Sequence, residues 1–345
     1  MPKKNILCIV GSLNQTSQLS QIASFLSQDY NIYYTQVYGN GFFYKFMAES
    51  GIFDNTVLGV GSSFIKASKE FLKSNNLNYD YRGETQGISY DLVIMSTDMI
   101  VPSKFKNTKK VWVQEGMIDL ITPLSYWIRK LNLPLYLSGN TSLNGTSNKA
   151  DIFFAASKGY KKYFSELGTD ENKILCTGVP NFDDIANINS NGFEYKDYVL
   201  IATSDIRELG GNENRVDFIQ KCVKIANGKR MIFKPHPNED IEIVSKEIIE
   251  NTPKDTLIIP KGDISPMIKN CDILITQFSS TVYLGLVLGK KIYSYFEIDD
   301  LKSKCPIQNN GQSAKIIASI VDDYINFEGS GINFIKQNEK AAFLL

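Results

Sequence analysis

Short runs of apolar residues, each closed by glycine or polar residues, recur along the whole chain. The first is Asn5–Val10, which ends at Gly11-Ser12 and is followed by helical spacing over Thr16–Leu26. Short runs without polar alternation are typical of strands buried on both faces of a parallel sheet. The pattern predicts strands at Asn5–Val10, Asn31–Val37, Asp91–Met95, Lys110–Val113, Asp151–Ala155, Lys173–Cys176, Tyr198–Ala202, Arg230–Phe233, Thr256–Ile259, Asp272–Thr276 and Lys291–Tyr295.

Segments with helical spacing lie between many of these strands. Alternation of strand and helix predicts an α/β protein whose parallel sheets are covered by helices on both faces. The predicted helices are Thr16–Leu26, Phe64–Asn75, Gly159–Leu167, Arg215–Ala226, Asp240–Asn251, Ser265–Asn270, Thr281–Leu288 and Ser313–Tyr324.

The alternation is interrupted over residues 181–197, which are rich in Asn and Asp and show little apolar periodicity. We interpret this stretch as a linker between two domains of similar architecture, residues 1–180 and 198–331. A chain of 345 residues has the length of two domains. Two such domains are predicted to face each other across a cleft lined by strand ends, where open α/β sheets bind ligands.

The composition is that of an ordinary globular protein, with 43% hydrophobic and 21% charged residues. Acidic and basic residues balance at 37 each, which argues against a protein that binds nucleic acid over a large surface. The five cysteines are widely spaced, as suits a reducing cytoplasm. The apolar run near the N-terminus predicts a first strand and not a signal peptide, and no run approaches the roughly 20 residues of a membrane span. We therefore expect a cytoplasmic protein.

An acidic residue, Glu115, follows the predicted strand Lys110–Val113. A carboxylate at a strand end can accept the proton of an incoming hydroxyl group. The alternative is an acid stabilised by a helix dipole. Residues near Glu115 and after the first strand are assigned to the acceptor side of the site: Gly11, Ser12, Gln114, Gly116 and Asp119.

The only histidine, His236, follows the predicted strand Arg230–Phe233 within Lys234-Pro235-His236-Pro237. The two prolines restrict the backbone, so the turn is expected to hold the imidazole rigidly. Lys234 precedes it by two residues, and we expect both side chains to leave the same face of the strand. A phosphate ligand would suit this pair. The alternative is a buried histidine that bonds a backbone carbonyl.

Hydroxyl groups follow two further strands. Ser279, Ser280 and Thr281 precede a predicted helix, where hydroxyl and amide groups bind anions. Helix capping is the alternative for these residues. Thr203 and Ser204 end another strand. We assign these hydroxyl groups to donor phosphate or nucleotide binding, together with the charged residues Lys234, Arg207 and Asp263.

Several enzyme classes lack their required sequence patterns. The glycines after the first strand do not form the dinucleotide-binding pattern G-x-G-x-x-G, and no P-loop occurs. No D-x-D triplet occurs, which weakens a diphosphate site bridged by a metal. No G-x-S-x-G nucleophile elbow of a serine hydrolase is found.

The order of these segments resembles the GT-B glycosyltransferases. Among them the chain is most similar to bacterial capsule polysialyltransferases, Kdo transferases and CDP-glycerol glycerophosphotransferases. Gln114-Glu115-Gly116 resembles an acid-acid-glycine motif whose second acid is the base, although Gln114 replaces the first acid. Three further segments resemble, in turn, the His-Pro motif, the strand with paired serines, and the T-G-x-P-x-x-D segment: Lys234–Pro237, Asp272–Ser280 and Thr177–Asp183.

The resemblance implies a fold and a reaction. The fold is GT-B, two Rossmann-like domains with a tail, residues 332–345, that crosses back to the N-terminal domain. The reaction is direct, inverting transfer of a sugar from a CMP-, UDP-, GDP- or CDP-linked donor to a glycan or lipid-linked glycan, without metal or other cofactor. Glu115 would take the proton of the acceptor, while His236, Ser279 and Ser280 stabilise the departing phosphate.

Three alternatives remain at this point. A polyol-phosphate transferase would use the same phosphate contacts, although a histidine stands in place of Glu115 in that family. A non-hydrolysing nucleotide-sugar 2-epimerase shares the fold, and a non-catalytic nucleotide- or sugar-binding protein would keep the site without turnover. The aromatic and basic run Tyr126–Lys130 indicates either a peripheral membrane contact at the inner face of the cell membrane or an ordinary helix with one solvated face.

Overall fold

The computed structural model describes residues 2–36, 46, 63–80, 87–189, 193–208 and 210–342. Two compact units make up the chain. The first contains Met1–Asp183 and Pro306–Leu345, and the second contains Asp184–Cys305.

A six-stranded parallel sheet forms the centre of the first unit, with the strand order β2-β1-β3-β4-β5-β6. Its strands are almost entirely apolar and buried, as expected for a sheet covered on both faces. The order reverses between β1 and β3, so the carboxyl ends of these two strands flank a topological switch point. The strands are β1 (Asn5–Ile9), β2 (Asn31–Thr35), β3 (Leu92–Met95), β4 (Lys109–Val113), β5 (Ile152–Ala155) and β6 (Ile174–Cys176).

Three helices of the first unit begin where a short polar side chain caps them. Ser12 accepts a hydrogen bond from the backbone N–H of Gln15, and Ser157 and Thr122 cap two other helices in the same way. In the N-terminal part of this unit the helices are α1 (Leu13–Leu26), α2 (Ser63–Ser74), α3 (Pro123–Lys130) and α4 (Lys158–Glu166).

The second unit is built on a five-stranded parallel sheet with the order β11-β10-β7-β8-β9. Its switch point lies between β7 and β10. The strands are β7 (Val199–Ala202), β8 (Met231–Lys234), β9 (Leu257–Ile258), β10 (Ile273–Thr276) and β11 (Lys291–Tyr293). The helices are α5 (Arg215–Ala226), α6 (Ile241–Asn251), α7 (Ile264–Asn270), α8 (Thr281–Val287) and α9 (Ile298–Lys304).

Each predicted strand and helix has a counterpart whose ends lie within a few residues of the predicted ones. Val37, the last residue of the predicted strand Asn31–Val37, lies outside the described residues. The predictions did not include α9 or the final helix, and they gave a helix at Tyr126–Lys130, within α3, only as one of two alternatives. Helix α1 begins at Leu13 and not at Thr16, because Ser12 provides the cap.

The chain returns to the first unit at Pro306, before the crossing predicted at residue 332. Helix α10 (Ser313–Asn326) belongs to the first unit and not to the domain predicted at 198–331. Its apolar side chains, among them Ile317 and Val321, are buried in one core with Leu19 and Ile22 of α1. The final helix, α11 (Gly331–Ala342), adds Phe334 and Ile335 to that core.

The segment Thr177–Asp183 holds the returning chain. The buried carboxylate of Asp183 accepts hydrogen bonds from the backbone N–H groups of Asn309 and Ser313. Gly178 has a φ of +69°, and a Cβ atom there would lie 2.6 Å from Oγ of Ser313. This segment therefore fixes the N-terminus of α10, which the sequence alone did not indicate.

Replacing Asp183 with alanine should destabilise the first unit. Two backbone donors would lose a charged acceptor, and we expect the free energy of unfolding to fall by about 2–4 kcal/mol. Urea unfolding followed by circular dichroism measures the change. Asp184→Ala is the matched control, because Asp184 is exposed and bonds only the side chain of Asn187. Equal stability of the two variants would contradict the role of Asp183.

Candidate functional site

The carboxyl edge of the first sheet brings Glu115 next to the start of α1. Glu115 follows β4, and its Oε1 accepts a hydrogen bond from the Ser12 hydroxyl at 3.0 Å. Its Oε2 accepts one from Nε2 of Gln15 at 2.8 Å. The orientation of this amide is fixed, because Oε1 of Gln15 accepts the backbone N–H of Gly11 at 2.8 Å. Three residues near the switch point thus orient one carboxylate.

The groups that bond the Glu115 carboxylate in the described part of the chain are neutral. Among the residues that the structure describes, none forms an ion pair with it. Burial raises the pKa of Glu115, while the hydrogen bonds from Gln15 and Ser12 act in the opposite direction. A partly exposed carboxylate with a raised pKa is a better proton acceptor than an ordinary surface carboxylate.

Gln114 supports the Glu115 loop from below. Its side chain is fully buried, with Nε2 donating to the carbonyl of Gly116 at 2.7 Å and Oε1 accepting from the N–H of Ala156 at 2.9 Å. Because this side chain is buried, it is not available to contact an acceptor, and the assignment of Gln114 to the acceptor side is not supported. Gln114 positions the residues that follow it. A Cβ atom on Gly116 would lie 3.3 Å from the ring of Phe182, which leaves little room for a larger residue.

Asp119 is exposed and tied to a neighbouring segment. Its Oδ2 accepts hydrogen bonds from the backbone N–H of Thr141 at 2.8 Å and from the Thr141 hydroxyl at 2.7 Å. No described contact joins Asp119 to Glu115. Its observed contacts anchor a loop.

Side chains from three strand ends meet at the carboxyl edge of the second sheet. Ser204, after β7, donates its backbone N–H to Oε1 of Gln277 at 3.1 Å. Gln277 follows β10, so this bond crosses the switch point. Thr203 donates its hydroxyl to Glu239, and Oε2 of Glu239 accepts the backbone N–H of His236 at 2.7 Å. The turn after β8 is therefore fixed to the end of β7.

A buried ion cluster lies behind this edge. Nη2 of Arg215 contacts Oε1 of Glu239 at 2.6 Å and Oε2 of Glu213 at 2.8 Å. The three side chains are at most 4% exposed. Pairing offsets the cost of burying these charges, although Nε and Nη1 of Arg215 have no hydrogen-bond partner among the described residues.

The imidazole of His236 is accessible. Its side chain is 37% exposed, and Nδ1 accepts the backbone N–H of Asn238 at 3.3 Å. Oδ2 of Asp205 lies 3.5 Å from Nδ1 and accepts from the Asn238 amide at 2.7 Å. Within the described part of the chain, Nε2 of His236 has no hydrogen-bond partner. The alternative of a buried histidine is therefore wrong, and Nε2 can meet a ligand.

Of the two serine hydroxyl groups after β10, that of Ser279 bonds the start of α8 and that of Ser280 makes no capping bond. Oγ of Ser279 accepts the backbone N–H of Thr281 at 3.3 Å and lies 2.9 Å from the Thr281 hydroxyl. Ser280 is the residue that precedes α8, but its side chain makes no capping bond. Capping accounts for Ser279 in part, whereas the hydroxyl of Ser280 can bind another group.

Three charged residues assigned to the donor have protein partners. Nζ of Lys234 donates to the carbonyl of Pro260 at 2.7 Å and does not bond His236; burial lowers the pKa of this lysine. Arg207 is paired through both Nη atoms with Glu247, at 2.8 and 2.9 Å. Asp263 caps α7 by accepting the N–H of Ser265 at 2.9 Å. The expected convergence of Lys234 and His236 is not observed.

Sequence reasoning missed five residues that organise the two edges. One was detectable, because Ser12 and Gln15 have the spacing of a capping box. Each of the others also makes a contact distant in sequence, which no local pattern reveals. The missed residues are Gln15, Glu213, Arg215, Glu239 and Gln277.

The described ranges contain no cluster of three or more His, Cys, Asp or Glu side chains arranged to hold a metal ion. No helix in them has the length and apolar character needed to span a bilayer.

Replacing Glu115 with glutamine should change how stability depends on pH. Because burial raises the pKa of Glu115 above its ordinary value of 4.5, the folded state binds this proton more tightly than the unfolded chain. The stabilising contribution of the protonated carboxyl group is therefore lost as the pH rises from 4.5 through the raised pKa of the folded state. At neutral pH we expect the melting temperature of Glu115→Gln to equal or exceed that of wild type, because the variant buries no charge at this position. The difference in melting temperature should shrink in acid, where Glu115 is protonated.

Thermal melts at a series of pH values measure this effect. Glu166→Gln is the control for loss of one negative charge, since Glu166 is exposed on α4. A lower melting temperature of Glu115→Gln at neutral pH would contradict the assigned electrostatics.

Replacing Glu239 with glutamine should be strongly destabilising. Arg215 would keep one of its two carboxylates, and the His236 turn would lose a charged acceptor. Breaking a buried ion pair costs about 3–5 kcal/mol, and chemical unfolding measures it. Glu242→Gln, an exposed change on α6, should alter stability by less than about 0.5 kcal/mol. A Glu239→Gln variant as stable as this control would show that the cluster is not required.

Comparisons with known proteins concern the fold. No protein-family model matches the chain, and no curated protein sequence matches it. Solved structures do match over nearly the whole length.

A putative UDP-N-acetylglucosamine 2-epimerase from Listeria monocytogenes has a TM-score of 0.58 at 11% identity, covering 95% of this chain and 98% of its own. UDP-GlcNAc 2-epimerase from Neisseria meningitidis, bound to UDP-GlcNAc, has a TM-score of 0.58 at 12% identity, covering 92% and 100%. The wall teichoic acid polymerase TagF has a TM-score of 0.53 at 12% identity, covering 94% and 89%. At these identities the likeness establishes the fold alone, and the prediction of a GT-B fold with two Rossmann-like units is confirmed.

Proposed function

We propose that this protein is a glycosyltransferase that moves a sugar from a nucleotide-activated donor to a glycan acceptor in bacterial surface-polysaccharide biosynthesis. The observation that carries the proposal is the carboxylate of Glu115, which Ser12 and Gln15 hold at the end of β4. A general base needs a fixed position, partial access and a pKa raised toward neutrality, and these features support that role.

In the proposed reaction, the acceptor hydroxyl attacks the anomeric carbon while Glu115 takes its proton. A bond forms between the acceptor oxygen and the anomeric carbon, and the bond from that carbon to the donor phosphate breaks. The bonding electrons leave with the nucleotide phosphate. One displacement inverts the anomeric configuration.

The second unit is proposed to bind the nucleotide donor. Nε2 of His236 would donate to a phosphate oxygen, because Nδ1 already accepts the backbone N–H of Asn238. The hydroxyl of Ser280 and the loop after β7 would provide further contacts. Open α/β sheets bind nucleotides at this edge, and the similar structures named above act on nucleotide sugars or polymerise wall teichoic acid.

A donor panel tests the proposal. Purified protein is incubated with CMP-, UDP-, GDP- and CDP-linked sugars and with CDP-glycerol, and mass spectrometry follows the products. Release of nucleotide from one sugar donor supports the transferase. Consumption of CDP-glycerol alone would indicate polyol-phosphate transfer, an epimerised sugar without nucleotide release would indicate the epimerase, and binding without turnover would indicate a binding protein.

Two variants test the roles of the residues. Glu115→Gln should retain donor binding and lower turnover by about 10²–10⁴, the usual contribution of a general base. His236→Ala should lower turnover by about 10²–10³ with little change in melting temperature, because the imidazole is accessible. Donor binding is measured by calorimetry and turnover by nucleotide release. The Glu115 assignment would fail if Glu115→Gln turned over at the rate of the exposed control Glu166→Gln.

A further inference from the structure

An exposed apolar surface lies just after Glu115. Nine of the eighteen exposed large hydrophobic side chains within the described ranges fall between residues 120 and 137. Scattered exposed hydrophobic residues are normal, but a dense cluster marks an interaction surface. We call this cluster the α3 patch; its members are Leu120, Ile121, Leu124, Tyr126, Trp127, Leu131, Leu133, Tyr136 and Leu137.

Helix α3 presents most of its surface outward. Only Ser125 and Ile128 of the helix are buried, and Oγ of Ser125 lies 2.6 Å from Oγ of Ser142. Leu124, Trp127 and Leu131 are spaced along one helical face and are 56%, 51% and 60% exposed. The helix is thus fixed to the first unit by a narrow contact and leaves its apolar face without a partner among the described residues.

The charged residues between Leu120 and Leu137 are both cationic, Arg129 and Lys130. The exposed Asp119, which precedes Leu120, accepts hydrogen bonds from Thr141. Nζ of Lys130 lies 4.8 Å from the centre of the Trp127 ring and 5.8 Å from that of Tyr126. A basic group beside amphipathic aromatic rings and leucines matches the boundary between anionic headgroups and acyl chains.

We propose that the α3 patch binds the surface of an anionic lipid bilayer. Leu124, Trp127 and Leu131 would enter the boundary between headgroups and acyl chains, while Arg129 and Lys130 contact lipid phosphates. Charge favours a membrane over a second copy of the chain, because a twofold contact through this patch would bring like charges together. The inference does not depend on the proposed transferase activity, since lipid binding is measured without donor or acceptor.

Flotation with lipid vesicles tests the proposal. Wild type should bind vesicles made of equal parts phosphatidylglycerol and phosphatidylcholine, and bind pure phosphatidylcholine at least about tenfold more weakly. The triple variant Leu124→Gln, Trp127→Gln, Leu131→Gln should lose about tenfold or more of the anionic partition coefficient. Arg129→Gln with Lys130→Gln should lower binding to the anionic vesicles only.

A matched control replaces three other exposed apolar side chains. Phe25, Ile243 and Ile249 are 51%, 55% and 70% exposed and lie on α1 and α6. The triple variant Phe25→Gln, Ile243→Gln, Ile249→Gln should bind vesicles as wild type does. Equal loss in both triple variants, or no binding of wild type to anionic vesicles, would overturn the proposal.

Tryptophan fluorescence gives a second readout that needs no variant. The chain has two tryptophans, of which Trp112 is fully buried and Trp127 is half exposed. Anionic vesicles should shift the emission of Trp127 to shorter wavelength, and lipids with brominated chains should quench it. An unchanged spectrum would refute insertion. A dimer of wild type that the α3 triple variant abolishes, without vesicle binding, would assign the patch to self-association instead.

Discussion

The buried carboxylate of Glu239 organises the carboxyl edge of the second sheet. It accepts hydrogen bonds from the hydroxyl of Thr203, after β7, and from the backbone N–H of His236, after β8. A buried charge is costly unless it is paired, and Arg215 provides the pairing. The carboxylate of Glu239 thus bonds both Arg215 and the backbone of His236. The position of the His236 imidazole therefore depends on a buried ion pair that lies outside the exposed part of the site.

Glu115 and Glu239 show how surroundings give one residue type two roles. Glu239 is buried and contacts the guanidinium of Arg215, so its carboxylate has a structural role. Among the described residues, Glu115 is bonded by a hydroxyl and an amide, and burial raises its pKa. Burial therefore increases the affinity of Glu115 for a proton, although its two hydrogen bonds act in the opposite direction.

The strands could be predicted because each is a short apolar run that ends in polar residues, as β1 and β10 illustrate. The sequence could not predict which unit contains α10. Its apolar spacing shows that one face is buried, but not which sheet covers that face. The deciding contacts, from Asp183 to Asn309 and Ser313, join residues far apart in sequence. Local periodicity carries no information about them, and the same limit hid the pairing of Arg207 with Glu247.

Part of the candidate site followed from position alone, since Glu115 and His236 come directly after parallel strands. The replacement of an acid by Gln114 could be interpreted only from the structure. Its amide donates to the carbonyl of Gly116 and accepts from the N–H of Ala156. An ionised carboxylate can accept but not donate, so it would repel that carbonyl. An amide at position 114 thus serves the loop geometry and leaves Glu115 as the only carboxylate of the Gln114-Glu115-Gly116 segment.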